Sequence, residues 1–133
     1  MQNPSLILCV DDEAVGLRIR RMLLERAGYR VLCAQDGPSG LEMLAAHPVE
    51  AVVLDYSMPG MDGDEVARRM RAMRPNLPIL LLSAYVGLPP EATSDVSLYM
   101  TKGEGAPALL ANLKLLFQTP FPDRHSLEDG QQP

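Results

Sequence analysis

Several short apolar runs in this 133-residue sequence end in a side chain able to do chemistry. Leu6-Ile7-Leu8-Cys9-Val10 leads into Asp11-Asp12-Glu13, and Ala51-Val52-Val53-Leu54 leads into Asp55. Ile79-Leu80-Leu81-Leu82 closes at Ser83, and a shorter run, Ser97 to Met100, is followed by Lys102. Asp11, Asp12, Asp55, Ser83 and Lys102 would together supply three carboxylates, a hydroxyl and an ammonium. Carboxylates gathered at one point repel one another, and a hard divalent cation with oxygen ligands is the usual remedy, Mg²⁺ being the natural candidate. Such an ion keeps positions open for phosphoryl oxygens. Lys102 would neutralise the remaining phosphoryl charge, and Ser83 could donate a hydrogen bond to it. The chemistry that suits this set is phosphoryl transfer onto a carboxylate.

The elements between these runs decide whether the side chains can meet. Uninterrupted apolar runs read as strands buried on both faces. After the first, Val15, Ile19, Met22 and Leu23 recur at helical spacing, with Arg18, Arg20, Arg21 and Glu25 on other faces, so a helix ending at Gly28 is predicted. Tyr29 to Ala34 follows as a second strand, and Asp36-Gly37-Pro38 then offers a cap and a first-turn proline for a helix carrying Leu41, Met43 and Leu44. The loop after Asp55 contains Pro59, Gly60 and Gly63. Beyond it Val66, Met70 and Met73 mark the inner side of a third helix, ended by Arg74-Pro75. Ala106, Leu109, Leu110, Leu113 and Phe117 form the inner face of a last helix. Met22, Met43, Met70 and Met73 read as core filling. Strands alternating with helices imply a parallel sheet covered on both faces, whose ligand site lies beyond the carboxyl ends of the strands. All five chemical residues sit at such ends.

Composition narrows the function classes. The length allows one domain, with no room for a separate effector, and 47% hydrophobic with 22% charged residues predicts a packed core. Lys and Arg number 12 against 17 Asp and Glu, a net charge of −5, which disfavours nucleic acid as a direct partner. Most of that charge lies in Asp11, Asp12, Glu13 and Asp55 and in the stretch after residue 117, leaving a nearly neutral body around an anionic pocket. Cys9 and Cys33 lie in apolar runs without metal-ligand spacing and read as reduced core residues. Neither a signal peptide nor a run of ~20 apolar residues is visible, so the expected location is cytoplasmic, with no membrane contact. His47 and His125 read as surface residues. Residues 118–133 read as a mobile, proline-containing tail after a domain of residues 1–117.

Taken in order, Asp11-Asp12, the segment Leu54-Asp55-Tyr56-Ser57-Met58-Pro59-Gly60-Met61-Asp62-Gly63, Ser83-Ala84 and Tyr99-Met100-Thr101-Lys102 resemble the receiver domain of two-component response regulators. The resemblance implies an α/β, three-layer flavodoxin-like (βα)₅ fold with a five-stranded parallel sheet of order 2-1-3-4-5. It also implies that Asp55 accepts a phosphoryl group from a phosphohistidine on a sensor histidine kinase or histidine phosphotransfer protein. Mg²⁺ would then be held by Asp11, Asp12, Asp55 and the Ser57 backbone carbonyl, with Asp11 acting directly or through water. By the same resemblance Lys102 contacts the phosphoryl group, Ser83 and Tyr99 form a switch, and Ser57 and Tyr85 tune the phosphoryl lifetime. Leu17, Arg18 and Arg21 become candidates for docking the phosphodonor, although the arginines also read as a solvated face.

The sequence departs from the family in two places. Gly103 follows Lys102 where a proline is usual, and the segment from Ser83 to Lys102 is short, with Pro89-Pro90 where helix four should begin. A short or irregular helix four is therefore expected, which leaves the family's common dimer mode open. Bland readings also exist: Asp11-Asp12-Glu13 as helix capping, Tyr99 as core filling, Ser83 as a strand-end cap. A haloacid-dehalogenase-type phosphohydrolase would need an acid where Ser57 stands. A flavodoxin would need a phosphate-binding loop after strand one. The alternative that stays open is a phosphorylation-independent interaction module on the same fold, and in either case the effector is an unknown protein.

Overall fold

Leu6–Val10 (β1), Ala51–Asp55 (β3) and Ile79–Ser83 (β4) are buried at every position, as their unbroken apolar runs require. The computed structural model describes residues 4–118 and adds β2 (Arg30–Ala34) and β5 (Leu98–Thr101) to a five-stranded sheet of order β2-β1-β3-β4-β5. All neighbours are parallel, and the order reverses beside β1, between β2 and β3. The crossovers are α1 (Ala14–Arg26), α2 (Gly37–Ala46), α3 (Gly63–Met73) and α4 (Pro90–Thr93), and α5 (Ala106–Gln118) ends the described chain. This is the flavodoxin-like architecture expected. The tail expected after residue 117 lies outside the described residues apart from Gln118, which closes α5.

Alternation along each strand divides the core between the two faces. Leu8, Val10, Val52, Leu54 and Leu81 pack with Leu44, Val66 and Met70 of α2 and α3. On the opposite face, Ile7, Val53, Leu80 and Leu82 pack with Leu17 and Leu24 of α1 and Leu109, Leu113 and Leu116 of α5. Cys9 and Cys33 are register partners on β1 and β2 and are free thiols. Burial pushes the Cys9 thiol up to about 12, which keeps it protonated and inert.

Local signals act where the sequence places them. The Asp36 carboxylate accepts from the Ser39 N–H at 2.7 Å and starts α2 beside Pro38. Pro89 and Pro90 leave room for a single helical turn, Pro90–Thr93, as expected of the short fourth helix.

The inner face of α1 differs from the periodicity reading. Val15, Ile19 and Met22 are 61%, 53% and 51% exposed, whereas the buried residues are Leu17 and Leu24. Two stripes at helical spacing compete on α1, and the one containing Arg20 faces the sheet. Met22 and Met73 are exposed rather than core filling, whereas Met70 is fully buried.

Candidate functional site

β1 and β3 lie side by side, so their carboxyl ends bring Asp11, Asp12 and Asp55 to one edge. One carboxylate oxygen from each lies within 4.8 Å of the others. Asp55 pairs in register with Leu82 and Ser83 with Thr101, which sets Ser83 and Lys102 just beyond Asp55 along the same edge. The Lys102 Nζ donates to Asp55 Oδ1 at 2.9 Å and lies 3.5 Å from Asp11 Oδ2. The side chains of Asp11 and Asp55 are only 1% and 4% exposed, while Asp12 lies open to solvent.

Two local devices hold this geometry. Gly63, the first residue of α3, donates its N–H to the Tyr56 carbonyl at 2.7 Å, and a Cβ there would lie 2.4 Å from the Asp55 carbonyl oxygen. Only glycine permits that approach, so the loop closes tightly behind Asp55. Lys102 begins a 3₁₀ turn, Lys102–Glu104, whose ends are tied by a capping box: Glu104 Oε2 accepts from the Thr101 N–H at 2.9 Å. This turn steadies Lys102 where Gly103 replaces the family's proline.

Burial raises the Asp55 carboxyl above its ordinary range; the Lys102 hydrogen bond pulls it down, and the charges of Asp11 and Asp12 push it up again. For Lys102, burial works against the charge, but the hydrogen bond and charge of Asp55, with Asp11 behind, outweigh it and hold the ammonium above its usual value. The two shifts do not mirror each other because burial, the largest effect on Asp55, together with the repulsion of Asp11 and Asp12 exceeds the pull of Lys102. Asp11, Asp12 and Asp55 offer hard oxygen donors, partly buried and mutually repelling, a set that fits a small divalent cation.

Arg20 is a site residue that sequence reasoning missed, having placed it on an outward face. Its Nη1 donates to Asp11 Oδ2 at 3.0 Å, and its side chain is 12% exposed. Its spacing from Leu17 and Leu24, three and four residues, was the available signal.

The remaining candidates divide. Ser83 is buried, and its Oγ accepts from the Tyr85 N–H at 2.9 Å. Ser57, Tyr85 and Tyr99 are exposed around the edge, and Tyr99 does not fill the core. Leu17 is corrected: it belongs to the core under α1 and its side chain is not available to a partner. Arg18 and Arg21 are exposed, and Arg21 pairs with Glu25 at 3.2 Å. Among the described residues, no helix is long and apolar enough to cross a membrane.

Residues 7–113 match the family model for the response regulator receiver domain. The response regulator MprA of Mycolicibacterium vanbaalenii is 38% identical over 127 residues, covering 90% of this chain and 53% of MprA. The chain thus spans about half the length of the curated relatives it matches. Among solved structures, the response regulator TrrA of Thermotoga maritima in complex with Mg²⁺ and BeF superposes with a TM-score of 0.80 at 29% identity, covering 84% of this chain and 98% of that one. A complex of the histidine kinase ThkA with TrrA matches with a TM-score of 0.78, also at 29% identity, covering 84% and 97%.

Proposed function

The chain belongs to the response regulator receiver domain family of two-component systems, and from that premise we propose that it accepts a phosphoryl group from a phosphohistidine donor onto Asp55. The observation that carries this reading is the 2.9 Å contact of the Lys102 ammonium with a buried Asp55 that shares its edge with Asp11 and Asp12. In the transfer, an Asp55 carboxylate oxygen forms a P–O bond as the donor's P–N bond breaks, and the electron pair of that bond stays on the imidazole. Asp11, Asp12, Asp55 and the Ser57 backbone carbonyl would hold Mg²⁺, which when bound offsets the charge on the phosphoryl oxygens.

Lys102, fixed by the 3₁₀ turn, turns part of its hydrogen bonding from Asp55 to the new phosphoryl oxygens. The Ser83 oxygen accepts from the Tyr85 N–H through a lone pair, which leaves the hydroxyl proton able to donate as well. Moving towards the phosphoryl group therefore tugs on the loop at Tyr85, and Tyr99 turns inward as Ser83 leaves. A bias of about 1–3 kcal/mol on such a two-state element changes a partner's affinity about 5–150-fold. Ser57 and Tyr85, exposed beside the pocket, tune the lifetime of the phosphoryl group by limiting water. The chain acts as a switch whose only chemistry is its own phosphorylation and dephosphorylation.

The ThkA–TrrA complex supports a sensor histidine kinase, or a histidine phosphotransfer protein, as the donor. Val15, Ile19 and Met22, exposed along α1 and flanked by Arg18 and Arg21, offer that donor an apolar stripe with a basic margin. An unidentified protein is the effector, and the free thiols of Cys9 and Cys33 support a cytoplasmic setting. Radiolabelled acetyl phosphate or a phosphorylated kinase should label the chain in the presence of Mg²⁺, and chelation or Asp55→Asn should abolish the label. Label that persists in Asp55→Asn, or never forms on the wild type, overturns the proposal; the latter outcome would favour a phosphorylation-independent interaction module.

A further inference from the structure

The Asp11 carboxylate is already heavily engaged. Its Oδ1 accepts from the Glu13 N–H at 2.9 Å, while Oδ2 accepts from Arg20 Nη1 at 3.0 Å and lies 3.5 Å from the Lys102 ammonium. Lys102 is bound more closely to Asp55, so the principal cationic partner of Asp11 is Arg20. The guanidinium does not shed its proton, so it keeps its charge when a second cation arrives. A divalent ion on Asp11 either displaces the guanidinium or endures its repulsion. Displacement has a route, because a groove between α1 and the start of α5, lined by Gly16, Ile19, Gly105 and Leu109 with Lys102 also on its wall, opens beside Arg20.

We propose that Arg20 is a resident counter-cation of the acidic pocket, which competes with Mg²⁺ for Asp11 and swings into the α1–α5 groove when the ion binds. The inference rests on the metal-binding reading given under Proposed function. Arg20 is on this view a positioning residue that sets the Mg²⁺ concentration at which the pocket becomes ready for phosphoryl transfer. Because Asp11, just beyond β1, faces Arg20 on α1, the same exchange couples ion binding to the inner face of α1.

Calorimetric titration with MgCl₂, with no phosphodonor present, tests this directly. Arg20→Met should bind Mg²⁺ at least about fivefold more tightly than the wild type. Arg20→Lys, which keeps a charge, should restore weaker binding. Arg26→Met, the same charge change at the exposed far end of α1, should match the wild type. As a variant-free measurement, NMR signals of the Arg20 guanidinium in the wild type should move to the positions of solvated arginines as Mg²⁺ is added. Equal or weaker Mg²⁺ binding by Arg20→Met beside a wild type that binds, or Arg20 signals that stay put at saturating Mg²⁺, overturns the proposal alone. Absence of Mg²⁺ binding in both proteins overturns it together with the metal-binding reading.

Discussion

Asp55 holds its charge against its surroundings. Its carboxyl is raised chiefly by burial, so the folded chain binds that proton more tightly than the unfolded chain does. The associated stability is fully present below the ordinary carboxyl value of 3.8 and is lost as pH rises towards the raised folded value. Asp55→Asn removes the buried charge while keeping an oxygen that can accept from Lys102. This variant should therefore be more stable than the wild type at pH 7, on the order of 1 kcal/mol, as is common when strain at a functional site is relieved. Thermal unfolding at pH 7 and again below pH 4, without added Mg²⁺, should show that advantage shrinking on acidification. The site carboxylates, Ser83 and Lys102 were legible in the sequence because each directly ends or follows an apolar run. Arg20 was not: a charged side chain reads as solvated unless its partner is known, and Asp11 becomes its partner only once α1 has chosen which stripe to bury.

Element by element, the strands were the easiest to read, since β1, β3 and β4 are apolar on both faces and admit no other placement. α1 was harder because Val15, Ile19 and Met22 satisfy helical periodicity as well as Leu17 and Leu24 do, and periodicity carries no sense of inward or outward. Long-range arginine ties left no pattern in the sequence at all. The Arg74 guanidinium donates to the carbonyls of Leu44 and His47, each at 2.7 Å, and to that of Val49, fastening the end of α3 to the exit of α2. Arg71 reaches the carbonyls of Asp95, Pro75 and Leu77, and burial lowers it to about 10, still charged at neutral pH. Both clasp the end of the sheet opposite the site, beside the buried Val49, Leu77 and Val96. Arg74→Met should cost about 1.5–3 kcal/mol in urea unfolding, the range for hydrogen bonds made by a charged group, with Mg²⁺ affinity unchanged.

Across the whole molecule, the strand order separates the site into parts with different surroundings. β1, which leads into Asp11 and Asp12, and β3, which ends at Asp55, lie inside the sheet with a hydrogen-bonded neighbour on each side. β5, which leads into Lys102, is an edge strand of four residues that among the described residues pairs only with β4, and just one of those four is buried. The single turn of α4 adds little cover there. Local opening follows from few buried contacts and solvent-facing backbone groups. Amide hydrogen exchange should therefore be at least roughly tenfold faster in Leu98–Thr101 than in Leu6–Val10 or Ala51–Asp55; equal protection would contradict this. The consequence is a molecule that can unlatch without coming apart. A brief fraying of the sheet's margin withdraws the ammonium from Asp55 while the buried Asp11 and Asp55 stay in place, so loss and return of the basic partner need only a local fluctuation, well short of global unfolding.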